Sequence, residues 1–302
     1  AAGFALAVTG ANVGTGYDIA NASYASKSFS VASQETAPTA VFFKPDGTKM
    51  YVTGTAADSV FEYDLSTAFD VSTASYNSAS YYYGSPPGLV EALFFRADGL
   101  KWYHADRGSD DIWEYDMSTA WDITSSSFSG NQFDVNTQDG QSQGLFFKPD
   151  GTKFYVLGQL TDAIYQYSMS TAWDVSSASY DSVSFSVSSQ APTPKDLAFN
   201  NDGTKFYVLN NNSDAVYQYS LSTAYDLSTA SYDSISFTVS AQEGVPTGLT
   251  FSDYGAKMYV VGSNNDTVYQ YTTGSSAAAT FSYPASVKWP SGTSPDAPAI
   301  GE

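Results

Sequence analysis

FFKPDGTKMYV, residues 42–52, decides the fold, because the chain writes it four more times. The later copies are FFRADGLKWYH (94–104), FFKPDGTKFYV (146–156), AFNNDGTKFYV (198–208) and TFSDYGAKMYV (250–260). Their glycines, Gly47, Gly99, Gly151, Gly203 and Gly255, each stand 52 residues after the last. Lys49, Asp58 and Tyr63 head three further columns with the same step, ending at Lys257, Asp266 and Tyr271. A fixed period of this length signals a repeat architecture in which each unit buries its apolar faces against its neighbours.

Each unit reads as four short strands. The apolar run Ala40–Phe43 is strand A, stopped at Pro45-Asp46-Gly47, where glycine accepts a positive φ. Strand B is Lys49–Thr53, with apolar residues of both parities (Met50 and Val52 against Tyr51), which predicts cover on both faces. A polar loop ending at Asp58 leads to strand C, Val60–Tyr63, and the connection Ser66–Val71 leads to strand D. That strand alternates in most units, as in Val183, Phe185 and Val187.

The ends show whether the array closes. After Gly255 the chain repeats strands A, B and C, finishing at Tyr271, without a following strand D of the same pattern. Tyr17-Asp18 lies 52 residues before Phe69-Asp70, and Tyr24 lies 52 before Tyr76. The N-terminal segment is therefore a strand D without its A, B and C. Complementary fragments at the two ends predict a ring, since pairing them removes the exposed edges. The fold class is all-β: a closed five-bladed β-propeller of four-stranded blades, with the split blade placing Phe29 beside Tyr269. Residues 1–16 read as an N-terminal extension, 17–274 as the ring, and 275–302, rich in Pro, Gly and Ser, as a linker or docking arm.

Composition narrows the function classes. The chain has 302 residues, 12 Lys and Arg against 31 Asp and Glu, and a formal charge of −19. Such a surface is repelled by phosphate backbones and anionic lipid, so no nucleic-acid partner is expected. No apolar run approaches a membrane span, so no membrane insertion is expected, and the first ten residues lack the basic start of a secretion signal. One histidine and no cysteine argue against zinc. No D-x-D-x-D-G stretch argues for calcium. The expected cofactor set is empty.

The run "FFKPDGTKMYV" with "DSVFEYDLST" resembles propeller repeats of secreted and surface proteins. "VYQYSLSTAYDLSTASYDS" (Val216–Ser234) looks like repeats in tail and fibre proteins of marine bacteriophages, and the end "YPASVKWPSGTSPDAPAIGE" is similar to segments of phage tail-associated proteins. The resemblance implies an extracellular, virion-surface appendage joined to the virion or to sister subunits through its terminal segments. It brings no catalytic motif.

In a propeller the B–C and D–A loops share one face. The D–A loops carry Gln34, Gln138, Gln190 and Gln242, with the acids Glu35, Asp139 and Glu243. Amides, carboxylates and tyrosines are the vocabulary of sugar recognition, although loop capping accounts for the same residues. Blade 2 departs from the repeat: His104 replaces the valine of the other blades, and Arg107 and Asp111 are peculiar to it. Its loop and the neighbouring loop Gly84–Glu91 could form one ligand pocket. His104 is weighed as a catalytic base against a buried, hydrogen-bonded packing variant, Arg107 as a clamp for a carboxylate or acidic sugar against a surface ion pair. The ten residues Gln34, Glu35, His104, Arg107, Asp111, Gln138, Asp139, Gln190, Gln242 and Glu243 form the expected ligand-binding set.

Catalysis is not expected from this reading. Glycoside hydrolysis needs two carboxylates across the scissile bond, and the inner strands AVFF, ALFF, GLFF, DLAF and GLTF offer only Asp196, with Glu91 just before its strand. A metal-dependent lactonase-type propeller needs acidic and amide ligands converging on the channel, which these strands also lack. The expectation is a non-catalytic receptor-binding propeller taking a host-surface glycan. The alternative is a purely architectural virion or secreted surface protein, and a glycoside hydrolase stands behind both.

Overall fold

The computed structural model describes residues 16–84, 88–252 and 254–274. The expected C-terminal arm and the N-terminal extension, Gly16 apart, lie outside the described residues. The first strands are β1 (Asp18–Ser30), β2 (Pro38–Phe43), β3 (Lys49–Gly54), β4 (Ser59–Leu65) and β5 (Ala74–Tyr82). Blade 2 follows as β6 (Val90–Phe95), β7 (Lys101–Asp106), β8 (Asp111–Met117) and β9 (Ser126–Asp134). Blade 3 comprises β10 (Ser142–Phe147), β11 (Lys153–Gly158), β12 (Ala163–Met169) and β13 (Ala178–Ser186). Blade 4 comprises β14 (Pro194–Phe199), β15 (Lys205–Asn210), β16 (Ala215–Leu221) and β17 (Ala230–Thr238). The last three strands are β18 (Pro246–Phe251), β19 (Lys257–Gly262) and β20 (Thr267–Gly274).

They form five four-stranded antiparallel sheets, and the fifth has the order β1-β20-β19-β18. The split blade is thus real. Ser28 stands opposite Tyr269 and Phe29 opposite Val268. The five-bladed ring read from the 52-residue step is the observed fold.

The local chemistry explains why five identical steps form. Gly47 has φ 73°, and its N–H bonds to the Lys44 carbonyl at 2.7 Å. Its missing Cβ leaves room for Phe69, whose ring atoms come within 2.3 Å of where a Cβ would sit. The Phe69 N–H returns to the Gly47 carbonyl at 2.9 Å. The same lock holds Trp121 on Gly99, Trp173 on Gly151, Tyr225 on Gly203 and Tyr17 on Gly255. Asp70, Asp122, Asp174 and Asp226 each cap the single 3-10 turn that follows, by accepting a backbone N–H two residues on.

Each lock is tied to the preceding blade. Tyr51 donates its hydroxyl proton to the Trp121 carbonyl at 2.9 Å, Tyr103 to Trp173 at 2.8 Å, and Tyr155 to Tyr225. Tyr207 bonds to the Tyr17 carbonyl at 2.7 Å and Tyr259 to that of Phe69 at 2.8 Å, so the series closes on itself. These tyrosines are buried between sheets, and the hydrophobic clusters mix residues of adjacent blades. The Asp58 column is a turn: Asp58, Asp110, Asp162, Asp214 and Asp266 have φ between 47° and 57°. Their carbonyls accept the N–H that follows strand D.

The lysine column pairs with carboxylates in four blades. Lys49 meets Glu62 and Lys101 meets Glu114, from strand C. In blades 3 and 4 that position is Gln166 or Gln218, and the carboxylate moves to strand D: Lys153 pairs with Asp181 at 2.6 Å and Lys205 with Asp233 at 3.2 Å. Blade 5 has Gln270 and Ala25 at these two places. There Lys257 donates to the Phe69 carbonyl at 2.9 Å, and burial pushes its pKa below the ordinary lysine value.

Candidate active site

The loop residues singled out from the sequence are engaged within their own blades. Gln34, Gln138, Gln190 and Gln242 accept the hydroxyls of the buried Tyr63, Tyr167, Tyr219 and Tyr271 at 3.3–3.4 Å. Glu35 accepts the N–H of Ala37 at 2.8 Å and of Ala57 at 3.1 Å. Asp139 does the same for Gln141 and Thr161, and Glu243 for Val245 and Asn264. All three acids are buried.

Each of these acids stands against a glycine at the end of strand B. A Cβ on Gly54 would lie 2.5 Å from the Glu35 carboxyl carbon, and one on Gly158 2.2 Å from that of Asp139. Gly262 faces Glu243 in the same way. Where the loop lacks the acid, strand B supplies the acceptor. Blade 4 has Ala191 in the loop and Asn210 on the strand, which takes the Thr193 N–H at 2.9 Å. The loop before blade 2 has Pro87 in that column, and Asp106 accepts from Gly88 at 3.0 Å and from Gly108 at 2.6 Å. One acceptor per loop is the constant.

His104 is fully buried among Tyr83, Trp102, Trp113 and Tyr115, with ring centroids 5.2–6.2 Å away. Neither ring nitrogen has a hydrogen-bond partner among the described residues, which corrects the expectation of a hydrogen-bonded packing variant. Burial alone pushes its pKa down to about 3, so the imidazole is neutral. Asp111 opens β8, and burial raises its pKa.

Of the ten residues, Arg107 is the one whose contacts lead to the axis. Its Nε lies 2.7 Å from Glu91 Oε1, an ion pair whose N–H is not aimed for a linear hydrogen bond. Glu91 lies within β6, not before it, as the second residue of an innermost strand. The same column holds Thr39, Gln143, Lys195 and Thr247, one per blade. Arg107 belongs to a second column with Thr55, Gln159, Asn211 and Ser263, immediately after strand B. Lys195 Nζ bonds to Gln143 Oε1 at 3.0 Å and to Gln159 Oε1 at 3.4 Å, so the two columns interlock.

These two rings surround one mouth of the central channel. Thr39 and Thr247 tie neighbouring inner strands together, donating to the Val90 and Pro38 carbonyls at 2.7 Å each. Glu91 and Gln143 are buried, and Lys195 is partly so. Burial pushes the Glu91 carboxyl above its ordinary range, with Arg107 and Lys195 opposing. Burial likewise lowers the Lys195 ammonium, and Glu91 offsets part of that effect. A carboxylate less acidic than usual thus stands beside two cations, one of them less basic than usual, with the acid buried and the cations half-buried. That combination can take and return a proton and stabilise an oxyanion.

One residue deeper, the inner strands carry Ala40, Ala92, Gly144, Asp196 and Gly248. The strands approach so closely here that a Cβ on Gly144 would lie 2.8 Å from the Leu197 nitrogen. Asp196 is buried in this belt and accepts the N–H groups of Leu197 at 2.8 Å and Leu249 at 2.7 Å. Sequence reasoning found Arg107, Glu91 and Asp196 but missed Lys195, Gln143 and Gln159. The available signal was variability, since these two columns are polar in all five blades and differ from blade to blade.

No protein-family model matches the chain. No curated protein matches it in sequence. Among solved structures, a Lactobacillus plantarum protein is 16% identical over 78% of this chain and 67% of its own, with TM-score 0.50. A provisionally assigned 6-phosphogluconolactonase of Bacteroides uniformis is 14% identical over 75% of this chain, with TM-score 0.47. The periplasmic gluconolactonase of Pseudomonas aeruginosa is 19% identical over 67% of this chain and 54% of its own, with TM-score 0.45. The chain spans 64% of the B. uniformis protein and 55% of a Bacteroides fragilis protein of the same description.

These neighbours overturn the phage tail-fibre resemblance, and with it the virion-displayed glycan receptor and the architectural alternative. The expectation of a non-enzyme is corrected as well: the similar structures include proteins described as lactonases, so this fold is no ground for excluding catalysis. The virion surface is unsupported as a location; no helix among the described residues is long and apolar enough to cross a membrane. At these identities the likeness shows the fold alone.

Proposed function

We propose that the axial mouth is the active site of a hydrolase acting on a small polar lactone or ester. The observation that carries the reading is the Glu91–Arg107–Lys195 cluster, set in two neighbouring repeat columns whose residues are polar in every blade and mostly different. A five-fold scaffold needs identical residues to pack, so asymmetry gathered at the axis fits an asymmetric ligand better than a structural need.

In this proposal Glu91 takes a proton from a water molecule, whose oxygen attacks the lactone carbonyl carbon. The carbonyl electron pair moves onto oxygen, where Lys195 and Arg107 stabilise it. The ring C–O bond then breaks, and the leaving oxygen recovers the proton from Glu91. Gln143 and Gln159 hold Lys195 in place, and the half-buried Gln159 has amide N–H donors to offer a ligand hydroxyl. The activities named for three of the similar structures, on gluconolactone and its 6-phosphate, belong to this reaction class, and the assignment here rests on the side chains.

The test is hydrolysis of a panel of sugar δ- and γ-lactones, with and without a phosphate, followed by acid release. The wild-type chain is expected to accelerate at least one of them. Glu91→Gln is expected to reduce kcat by about 10²–10⁴-fold, as for loss of a general base. Activity should also fall as pH drops through the raised Glu91 pKa, because the protonated carboxyl accepts no proton. No acceleration on any lactone or simple ester, or full activity in Glu91→Gln, would sink the reading.

A further inference from the structure

The opposite mouth of the channel, beside the A–B turns, opens into a different chamber with a volume of ≈ 210 Å³. Its wall is set by a single repeat column: Phe42, Phe94, Phe146, Ala198 and Thr250. The three phenylalanines run edge to face, at 5.6 Å between Phe42 and Phe94 and 5.5 Å between Phe94 and Phe146. Blades 4 and 5 put small side chains where the next two rings would stand. The recess is therefore a gap in an aromatic ring, and Asp196 contributes to its lining.

We infer that this chamber is a second ligand site, taking one small aromatic ring that carries an ammonium group. An apolar cavity of about 150 Å³ accommodates a benzene-sized molecule, so this one has room for a ring with a short substituent. The phenylalanine faces favour a ring at their edges and a cation at their faces. Asp196 supplies the polar end: each of its oxygens accepts a single backbone N–H, which leaves acceptor capacity on both. The lysine that lines it, Lys44, is already paired with Asp46 at 2.8 Å. The net charge of −19 further disfavours an anion. Without ligand, burial keeps the Asp196 carboxyl far above the ordinary range, so an arriving ammonium would displace its proton.

Calorimetric titration of the full chain with phenethylamine tests this, with phenylacetate as the anionic counterpart of similar shape. The amine is expected to bind at least about tenfold more tightly than the acid and to release a proton, read as a dependence of the heat on buffer ionisation enthalpy. Ala198→Phe restores the side chain that three blades carry at this column, so it should fold and abolish amine binding. Asp196→Gly, the residue of blades 3 and 5 at this column, should remove the preference for the amine and the proton release. Failure of phenethylamine to bind the wild type, equal affinity for phenylacetate, or undiminished binding in Ala198→Phe would each overturn the inference. Lactone hydrolysis measured on the same Ala198→Phe protein separates this site from the axial mouth.

Discussion

His104 is the clearest case of a residue whose oddity the sequence reveals but whose chemistry it hides. Its departure from the valine column is plain in the alignment of repeats, yet the absence of a partner for either nitrogen depends on four aromatic neighbours from two blades. The folded pKa of about 3 lies below the ordinary 6.5. Below about pH 6.5 the unfolded chain binds a proton that the folded chain refuses, so this group erodes stability as pH falls and has no such effect above that value. Each unit is worth about 1.4 kcal/mol. His104→Val, the residue of the other blades, should therefore gain about 2 kcal/mol over wild type between pH 7 and pH 5 in urea unfolding. An unchanged difference across that range would show that the imidazole is not held neutral.

The D–A loops show what the element scale adds. Glutamines and acids recurring in these loops can be read as a ligand face, because a sequence does not show which backbone N–H groups surround a carboxylate. The structure places Glu35, Asp139 and Glu243 against Gly54, Gly158 and Gly262, and exchanges them for Asn210 or Asp106 on the strand where the loop acid is missing. The pairing of an absent loop acid with an absent strand glycine was legible in the repeat alignment, but its meaning needed the Cβ geometry. Gly158→Asn alone should destabilise strongly, since its Cβ meets the Asp139 carboxyl at 2.2 Å. Asp139→Ala alone should cost about 1–3 kcal/mol by leaving loop N–H groups unpaired. Together they recreate blade 4, and denaturation should show a favourable coupling of about 1–3 kcal/mol. Simple additivity would contradict the exchange.

For the whole molecule, strict periodicity made the ring legible, and the same periodicity hid the site. Identical columns report packing: the Gly47, Tyr51 and Asp58 series all resolve into locks, inter-blade ties and turns. The axial cluster sits where those columns stop agreeing, at Thr39/Glu91/Gln143/Lys195/Thr247, just outside the apolar runs that mark the inner strands. Closure itself depends on β1, which covers the edge of β20 along Asp18–Ser30. Deleting residues 1–30 should expose that edge and remove the Tyr17 end of the Tyr207 bond, giving a chain that aggregates or loses its single cooperative transition. Retention of a sharp, unshifted transition would mean the ring does not need its clasp.

In the proposed function, a symmetric ring presents an asymmetric catalytic mouth on its axis. A crystal soaked with the hydroxy acid released by the best lactone tests this most directly. Density for the acid is expected at the channel mouth, its carboxylate within hydrogen-bond reach of Lys195 or Arg107. Density at the outer D–A loops, or an empty mouth at saturating concentration, would contradict it.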